Sequence, residues 1–214
     1  MSAQSTRVTT GIGRLSYCHL HEPSAMEGSS DPKYSVKFLW KKTDKETTAL
    51  LKKAFLAAME SGVPKHFKQA ILDAYKTKGV LPKSFNNCIV DGDTYNEERE
   101  AEGKDTDSNV AGCYFINAKS QADRPPALVK KLIKGQPAAI ISENEKHLVY
   151  SGANAQVSVT LFPFSKGAVG IAAGLNSVCV RGGGDAFAGG GNPLSDFVDK
   201  DDEFQDDEEF DPEA

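Results

Sequence analysis

Lys33–Lys42 reads KYSVKFLWKK, and the alternation within this stretch decides the class of fold. Because successive side chains of a β-strand point to opposite faces, every second residue lies on the same face. One face is apolar and consists of Tyr34, Val36, Phe38 and Trp40, whereas the other consists of Lys33, Ser35, Lys37, Leu39 and Lys41. The stretch therefore predicts a strand with one face in a hydrophobic core and a row of ammonium groups on the other.

The rest of the chain adds about four principal strands and one or two helices. The stretches typical of strands are Gly11–His21, Val110–Lys119, Gln156–Phe164 and Gly167–Val180. Thr43 and Glu46 have the spacing of a capping box, which predicts a helix through about Ser61, and a second helix is expected from about Lys65 to Tyr75. The helices are inserted after the second strand, strands and helices do not alternate, and two glycines of the last strand permit strong curvature. We therefore expect a mainly β protein with inserted helices, a five-stranded, partly open barrel of the OB-fold type.

The charge of the chain is divided between a basic body and an acidic tail. The 214 residues carry a formal charge of −5, but residues 195–214 contain eleven carboxylates and one lysine, which is −10. Everything before this tail has 24 basic and 19 acidic side chains and so carries +5. Dense like charge with few apolar residues predicts a disordered tail. We expect an OB-fold domain at 1–181, a glycine-rich linker at 182–194 and the tail at 195–214.

Within the domain, a helical insertion is expected at about 43–76 and an acidic loop at about 91–107. The acidic loop has eight carboxylates and two basic residues, a charge of −6. Asp91 and Asp93 could suggest metal ligands, but the ligand spacing of a calcium loop is absent. A solvated loop or a short helix is the preferred interpretation.

Sequence patterns typical of enzymes are weak. The run RGGGD at residues 181–185 lacks the Gly-Lys-Ser/Thr ending of a nucleotide-binding loop. His19 and His21 share a strand face, but no third metal ligand is recognisable. The four cysteines never form Cys-x-x-Cys, and three of them lie in apolar strand-like runs, which favours buried free thiols in a reducing compartment. The sequence therefore predicts no enzyme activity, no cofactor and no metal.

Single-stranded nucleic acid fits the residues better, because its binding proteins combine cations that track phosphates with aromatic rings that stack on bases. Phe162 and Phe164 are the preferred stacking candidates, since the opposite face of their strand already supplies the core. Lys37 and Lys41 are the preferred phosphate candidates. The full set of predicted DNA-binding residues is Arg14, Lys33, Lys37, Lys41, Tyr114, Lys119, Arg124, Tyr150, Phe162, Phe164 and Lys166.

The acidic tail acquires a role beside such a basic surface. A segment of charge −10, tethered by a flexible joint, reaches a basic groove at high effective concentration and can compete with DNA for it. Once displaced, the tail becomes available to replication proteins such as a polymerase, helicase or primase. The residues expected to bind these partners are Asp206, Asp207, Glu208, Glu209 and Phe210.

Tyr150–Val180, YSGANAQVSVTLFPFSKGAVGIAAGLNSVCV, resembles the most characteristic segment of bacteriophage single-stranded DNA-binding proteins. The Tyr-Ser-Val-Lys-Phe strand before a lysine-rich helix, the Asp-Gly-Asp turn and the acidic C-terminus also match. The matching residues of the segment are Tyr150, Gly152, Phe162, Pro163, Phe164, Lys166, Gly167, Gly170, Gly174, Leu175 and Asn176. The resemblance implies an OB-fold and a role in phage DNA replication, recombination or repair, in the cytoplasm of the infected bacterium. Many relatives end their tail on phenylalanine, whereas here Phe210 is followed by Asp-Pro-Glu-Ala.

The sequence is compatible with other functions. A strand-annealing recombination protein would share the basic groove, a carboxylate-metal nuclease would use Asp91 and Asp93, and a protein-interaction module would bind no DNA. A homodimer is compatible with the sequence. A membrane is not an expected partner, because no run approaches the roughly 18 apolar residues of a membrane span and the first ten residues lack an apolar signal core.

Overall fold

The computed structural model describes residues 5–25, 30–133 and 135–187. Within these ranges the strands are β1 Arg7–Thr9, β2 Gly13–Ser24, β3 Lys33–Lys41, β4 Phe85–Asn86, β5 Ile89–Asp91, β6 Cys113–Gln121, β7 Ala127–Lys130, β8 Ala139–Ile140, β9 Asn154–Phe164 and β10 Val169–Val180. The helices are α1 Lys45–Gly62, α2 Gln69–Lys78 and α3 Gly92–Ala101, with 3-10 turns at Ser108–Val110 and Glu143–Leu148.

Five long strands close into a ring in the order β2-β3-β6-β10-β9, with β9 returning to β2. All neighbours in the ring are antiparallel except β6 and β10, which are parallel. Two seams are narrow, because β2–β9 and β6–β10 are each joined through only two residue pairs. This arrangement confirms the expected OB-type fold, with the ring only partly closed.

The core lies inside the ring, as the alternation of β3 predicts. Val36, Phe38 and Trp40 are buried, and the same period places the buried Val157, Val159 and Leu161 of β9 opposite them. Helix α1 packs against β9 with an apolar face that includes Leu51, Phe55 and Met59. The indole of Trp40 donates to Thr48 Oγ1 at 3.0 Å, so the polar atom of this buried ring is satisfied.

The ends of the helices differ from the sequence expectation. The predicted capping box of Thr43 and Glu46 does not form. The N-cap is Asp44, whose carboxylate accepts from Thr47 N at 2.9 Å, because Thr43 is part of the turn that leaves β3. Helix α2 begins at Gln69 instead of near residue 65, since the preceding turn places Phe67 in the core, 5.3 Å from the Phe85 ring.

The second acidic segment contains a helix, one of the two structures expected for it. Asp91 caps α3 by accepting from the backbone N–H groups of Asp93 and Thr94. Lys42 Nζ lies 2.6 Å from the Asp91 carboxylate and 2.7 Å from that of Asp93. The two carboxylates offset the positive charge at the end of β3 and hold α3 against that end. They also raise the pKa of Lys42 above its ordinary value.

The start of the predicted linker lies against the ring. Tyr150 donates its hydroxyl to Gly184 O at 2.7 Å, and the Phe187 N–H donates to Ser151 O at 2.9 Å. Phe187 also packs on a small cluster of Leu39, Val110 and Phe115. Residues 182–187, the first part of the predicted linker, are therefore held in place by hydrogen bonds and apolar contacts. The rest of the linker and the tail at 195–214 lie outside the described residues. Among the described helices, none has the length and apolarity required to cross a membrane.

Candidate nucleic-acid interface

An open groove of about 920 Å³ runs over the outer face of the ring, between β9, β10, β6 and the start of β3. Small residues of β10, Ala172 and Gly174, form its floor. Two aromatic rings of β9 and three cationic side chains surround that floor. They are Phe162, Phe164, Lys33, Lys119 and Arg124, and we call this site the Phe162 groove.

The aromatic side chains of the groove come from the alternation of β9. Leu161 points into the core, so Phe162 points outward and is 45% exposed. A Cβ atom added to Gly174 would lie 3.4 Å from the Phe162 ring, which is a van der Waals contact, so the ring packs directly over Gly174. Phe164 is partly buried and lines the same groove. A flat, partly exposed ring above a small-residue floor is suited to stacking on a base.

The cations of the groove come from three different places in the chain. Lys33, at the start of β3, lies 3.1 Å from Asp31 and keeps about a third of its side chain exposed. Lys119 is an exposed residue of β6, and Arg124 is held at the following turn, where Ser120 Oγ donates to Arg124 O at 2.6 Å. Lys166 is exposed in the turn between β9 and β10 but lies outside the groove, so its contact with DNA stays a prediction. The groove therefore combines ring faces with positive charge.

The outer face of β3 is not a continuous row of ammonium groups, which corrects the sequence interpretation. Leu39 is buried, and the side chain of Lys37 is only 10% exposed. Lys37 Nζ pairs with Asp107 at 3.1 Å and lies 4.5, 4.9 and 5.4 Å from the ring centroids of Tyr17, Phe115 and Tyr95. The acidic segment covers this half of the strand, which the strand's own sequence does not reveal. Contact of Lys37 with a phosphate stays a prediction, and the Asp107 pair would oppose it.

Four other predicted residues lie outside the groove. Tyr114 packs on Trp40, with ring centroids 5.9 Å apart, and Lys41 is exposed at the far end of β3. Arg14 donates to Gly152 O and Asp185 O, both at 2.5 Å, and its guanidinium lies 4.8 Å from the Phe187 ring centroid. Together with Tyr150, Arg14 holds residues 182–187 in place. Binding of DNA by these four residues stays a prediction. The predicted partner-binding residues of the tail, 206–210, lie outside the described part of the chain.

Two parts of this surface are formed by residues that the sequence did not predict as DNA-binding. Asn86 and Asn87 line the groove from a segment that has no periodicity, although their polar side chains suit a solvated surface. Tyr17 lies in a second hollow of about 310 Å³, the Tyr17 hollow, which shares Asn117 and Lys119 with the Phe162 groove. The sequence identifies Tyr17 as an aromatic residue but gives no sign that its side chain is turned outward.

The cysteine thiols near these surfaces are poor nucleophiles. Burial raises the pKa of Cys88, which lines the Phe162 groove, to about 12, and that of Cys18 to about 11. Both are therefore protonated at neutral pH, and the nucleophilic form of cysteine is the thiolate. The four cysteines are free in the structure, as the sequence predicts, but all four are partly buried instead of fully buried.

Comparison with known proteins gives a consistent result. The sequence profile of the family described as the single-stranded DNA-binding protein of Enterobacter phage Enc34 matches residues 6–210. No curated protein sequence matches the chain. The structure is similar to that of the bacteriophage Enc34 single-stranded DNA-binding protein in complex with single-stranded DNA, with a TM-score of 0.57 and 21% identity, covering 85% of this chain and 89% of that one.

Two further solved structures share the fold. A C-terminal truncation of the Enc34 protein gives a TM-score of 0.59 and 21% identity, with 85% of this chain and 88% of that one covered. The single-stranded DNA-binding protein gp2.5 of bacteriophage T7 gives 0.51 and 14%, with 91% and 96% covered. These likenesses confirm the fold, and the family profile confirms the resemblance seen in the sequence. Since the family profile spans most of its length, the chain belongs to the Enc34 family of phage single-stranded DNA-binding proteins.

Proposed function

We propose that this protein binds single-stranded DNA in the Phe162 groove, with little sequence preference. The observation that carries the proposal is the placement of the half-exposed Phe162 ring over Gly174, with Lys33, Lys119 and Arg124 around the same groove. Every base has a ring face to stack, whereas duplex DNA keeps those faces against neighbouring bases. Rings and cations together therefore favour single strands of any sequence. Family membership supports the same substrate.

The biological setting follows from the family and from the tail. We infer that the protein coats and protects single strands exposed during phage DNA replication, recombination and repair, in the cytoplasm of the infected bacterium. The tail at 195–214, with its charge of −10, competes with DNA for the basic groove and, when displaced, recruits a polymerase, helicase or primase. Deletion of residues 196–214 should tighten binding of DNA at fixed salt. Unchanged affinity would contradict the competition.

One incubation separates the candidate functions. A fluorescent single-stranded oligonucleotide is mixed with the protein and Mg²⁺ at low salt, and both mobility and length of the DNA are followed. A shifted and intact oligonucleotide supports the proposal, and cleavage would instead support a nuclease. Faster pairing when the complementary strand is added would identify a strand-annealing protein. The absence of any shift at low salt would leave a protein-interaction module.

A further inference from the structure

We propose that Tyr17 is a second base-stacking site, separate from Phe162, and that a bound strand crosses the outer face of the ring from one site to the other. The inference rests on the proposed binding of single-stranded DNA. It adds a named residue and a direction to that function: from the Phe162 groove across β10, β6 and β3 to the Tyr17 hollow on β2.

Exposure sets Tyr17 and Phe162 apart from the other aromatic residues. In the ranges 5–25, 30–133 and 135–187, these are the two aromatic residues whose side chains are exposed, at 60% and 45%. Both lie on the outer face of the ring. Single exposed apolar side chains are common on protein surfaces, but these two are aromatic and lie in two hollows that share Asn117 and Lys119, an arrangement that suits stacking on bases.

The backbone at Tyr17 is strained in a way that produces this exposure. Its φ angle is +49°, and in the described part of the chain it is the single non-glycine residue with positive φ. The register between β2 and β3 shifts between Ser16 and His19, which marks a bulge at this position. Bulges redirect side chains, and a bulky residue held in the left-handed region is commonly associated with function. The strain turns the ring outward at the edge of the hollow.

The ring of Tyr17 is also fixed in orientation. Lys37 Nζ lies 4.5 Å from its centroid, and the ammonium is itself held by Asp107 at 3.1 Å. The ion pair therefore acts as a support beneath the ring, which is consistent with the low exposure of Lys37. A pre-oriented ring loses little conformational freedom when a base stacks on it.

The two aromatic sites belong to one continuous surface. Asn117 and Lys119 of β6 line both the Phe162 groove and the Tyr17 hollow, and the register pairs Lys119 with Ser35 and Asn117 with Lys37 of β3. From β9 to β2 the path crosses four spacings between neighbouring strands, about 19 Å for spacings of about 4.8 Å. A DNA strand must therefore be several nucleotides long before it can contact both Phe162 and Tyr17. Lys119 lies between them, where it can contact the connecting phosphates.

Length dependence of binding tests this path. Oligothymidylates of about 4 to 16 nucleotides, the range of OB-fold site sizes, are titrated into the full chain and into its Tyr17→Gly variant. Above a threshold length, Tyr17→Gly should bind about fivefold or more weakly, whereas the shortest oligonucleotides should bind both proteins equally. The melting temperature should change little, because glycine adopts positive φ without strain and this relief offsets its greater freedom in the unfolded chain. Tyr17→Phe should bind as the wild type does, and Leu50→Ala, which removes an exposed apolar side chain of α1, should leave binding unchanged.

Each outcome decides between the hypotheses. If the wild-type protein binds no oligonucleotide of any length, the proposed function itself fails. If it binds them and Tyr17→Gly matches it at every length, the second site is refuted while the function stands. If Tyr17→Gly loses the same affinity for oligonucleotides of every length, Tyr17 belongs to the same site as Phe162, and the path across the sheet is refuted. A loss in Tyr17→Phe as large as in Tyr17→Gly would assign the effect to the hydroxyl group and refute stacking.

Discussion

Replacing Lys37 with methionine should damage the stability of the protein far more than its affinity for DNA. Lys37 and Asp107 are only 10% and 11% exposed, and methionine leaves the Asp107 carboxylate without its cationic partner. Breaking a buried ion pair on one side costs about 3–5 kcal/mol. We expect about 3 kcal/mol, the lower end, because Asp107 still accepts from Asn109 N and Nδ2. That is a large share of a total stability of about 5–15 kcal/mol.

The assay is urea denaturation followed by titration with a labelled oligonucleotide at a temperature where the variant is folded. Lys41→Met is the matched control, since Lys41 lies on the same strand and is exposed, and it should change the free energy of unfolding by about 0.5 kcal/mol or less. Adding Asp107→Asn to Lys37→Met should restore much of the loss by removing the unpaired charge. If Lys37→Met instead unfolds as the wild type does and loses affinity for the shortest oligonucleotides, which do not reach Tyr17, Lys37 is a phosphate contact and its pair with Asp107 does not stabilise the fold.

Three further changes have distinct signatures. Arg124→Gln should reduce the slope of log affinity against log salt by about 0.7, the value of one phosphate contact to a single strand, with an unchanged melting temperature; an unchanged slope would exclude Arg124 from the path. The Lys130 ammonium and then the hydrogen bonds from Ser142 lower the pKa of Glu145 from 4.5 to about 2. Because the folded-state pKa is depressed, the melting temperature lost in Glu145→Gln should be greatest above pH 4.5 and vanish as the pH falls through about 2; a difference that is independent of pH would refute this. Tyr150→Phe removes the donor to Gly184 O and should cost about 1 kcal/mol, with faster hydrogen exchange at the Phe187 amide; unchanged exchange would show that the hydroxyl does not hold this segment.

The five long strands and the side chains that they turn into the core could be predicted, because both depend on the alternation of apolar and polar residues within each strand. Strand β3 and the outward position of Phe162 follow from a period of two that is visible within about ten residues. The narrow seams of the ring could not be predicted, since spacing along the chain does not define which distant strands pair.

The charges of the site were less predictable, because their partners are distant in sequence. Lys37 looks like an exposed cation until Asp107, seventy residues away, is placed beside it. The sequence predicts that Arg14 contacts DNA, but in the structure the backbone carbonyl groups of Gly152 and Asp185 accept its hydrogen bonds. Tyr17 depends on a strained bulge, and no propensity of tyrosine predicts positive φ. Tertiary contacts therefore decide which of the predicted cations remain available.

Photochemical crosslinking of a 5-bromodeoxyuridine oligonucleotide to this chain shows directly whether single-stranded DNA lies in the Phe162 groove. Mass spectrometry then identifies the crosslinked peptides. We expect crosslinks in the peptides that contain residues 162–166 and 117–124, on the outer face of the ring of strands. The chain offers a rival basic surface, a cleft between α1 and α2 lined by Lys52, Lys53 and Lys76 beside Tyr75. Crosslinks concentrated in that cleft, with none at Phe162 or Phe164, would show that single-stranded DNA binds there and not in the Phe162 groove.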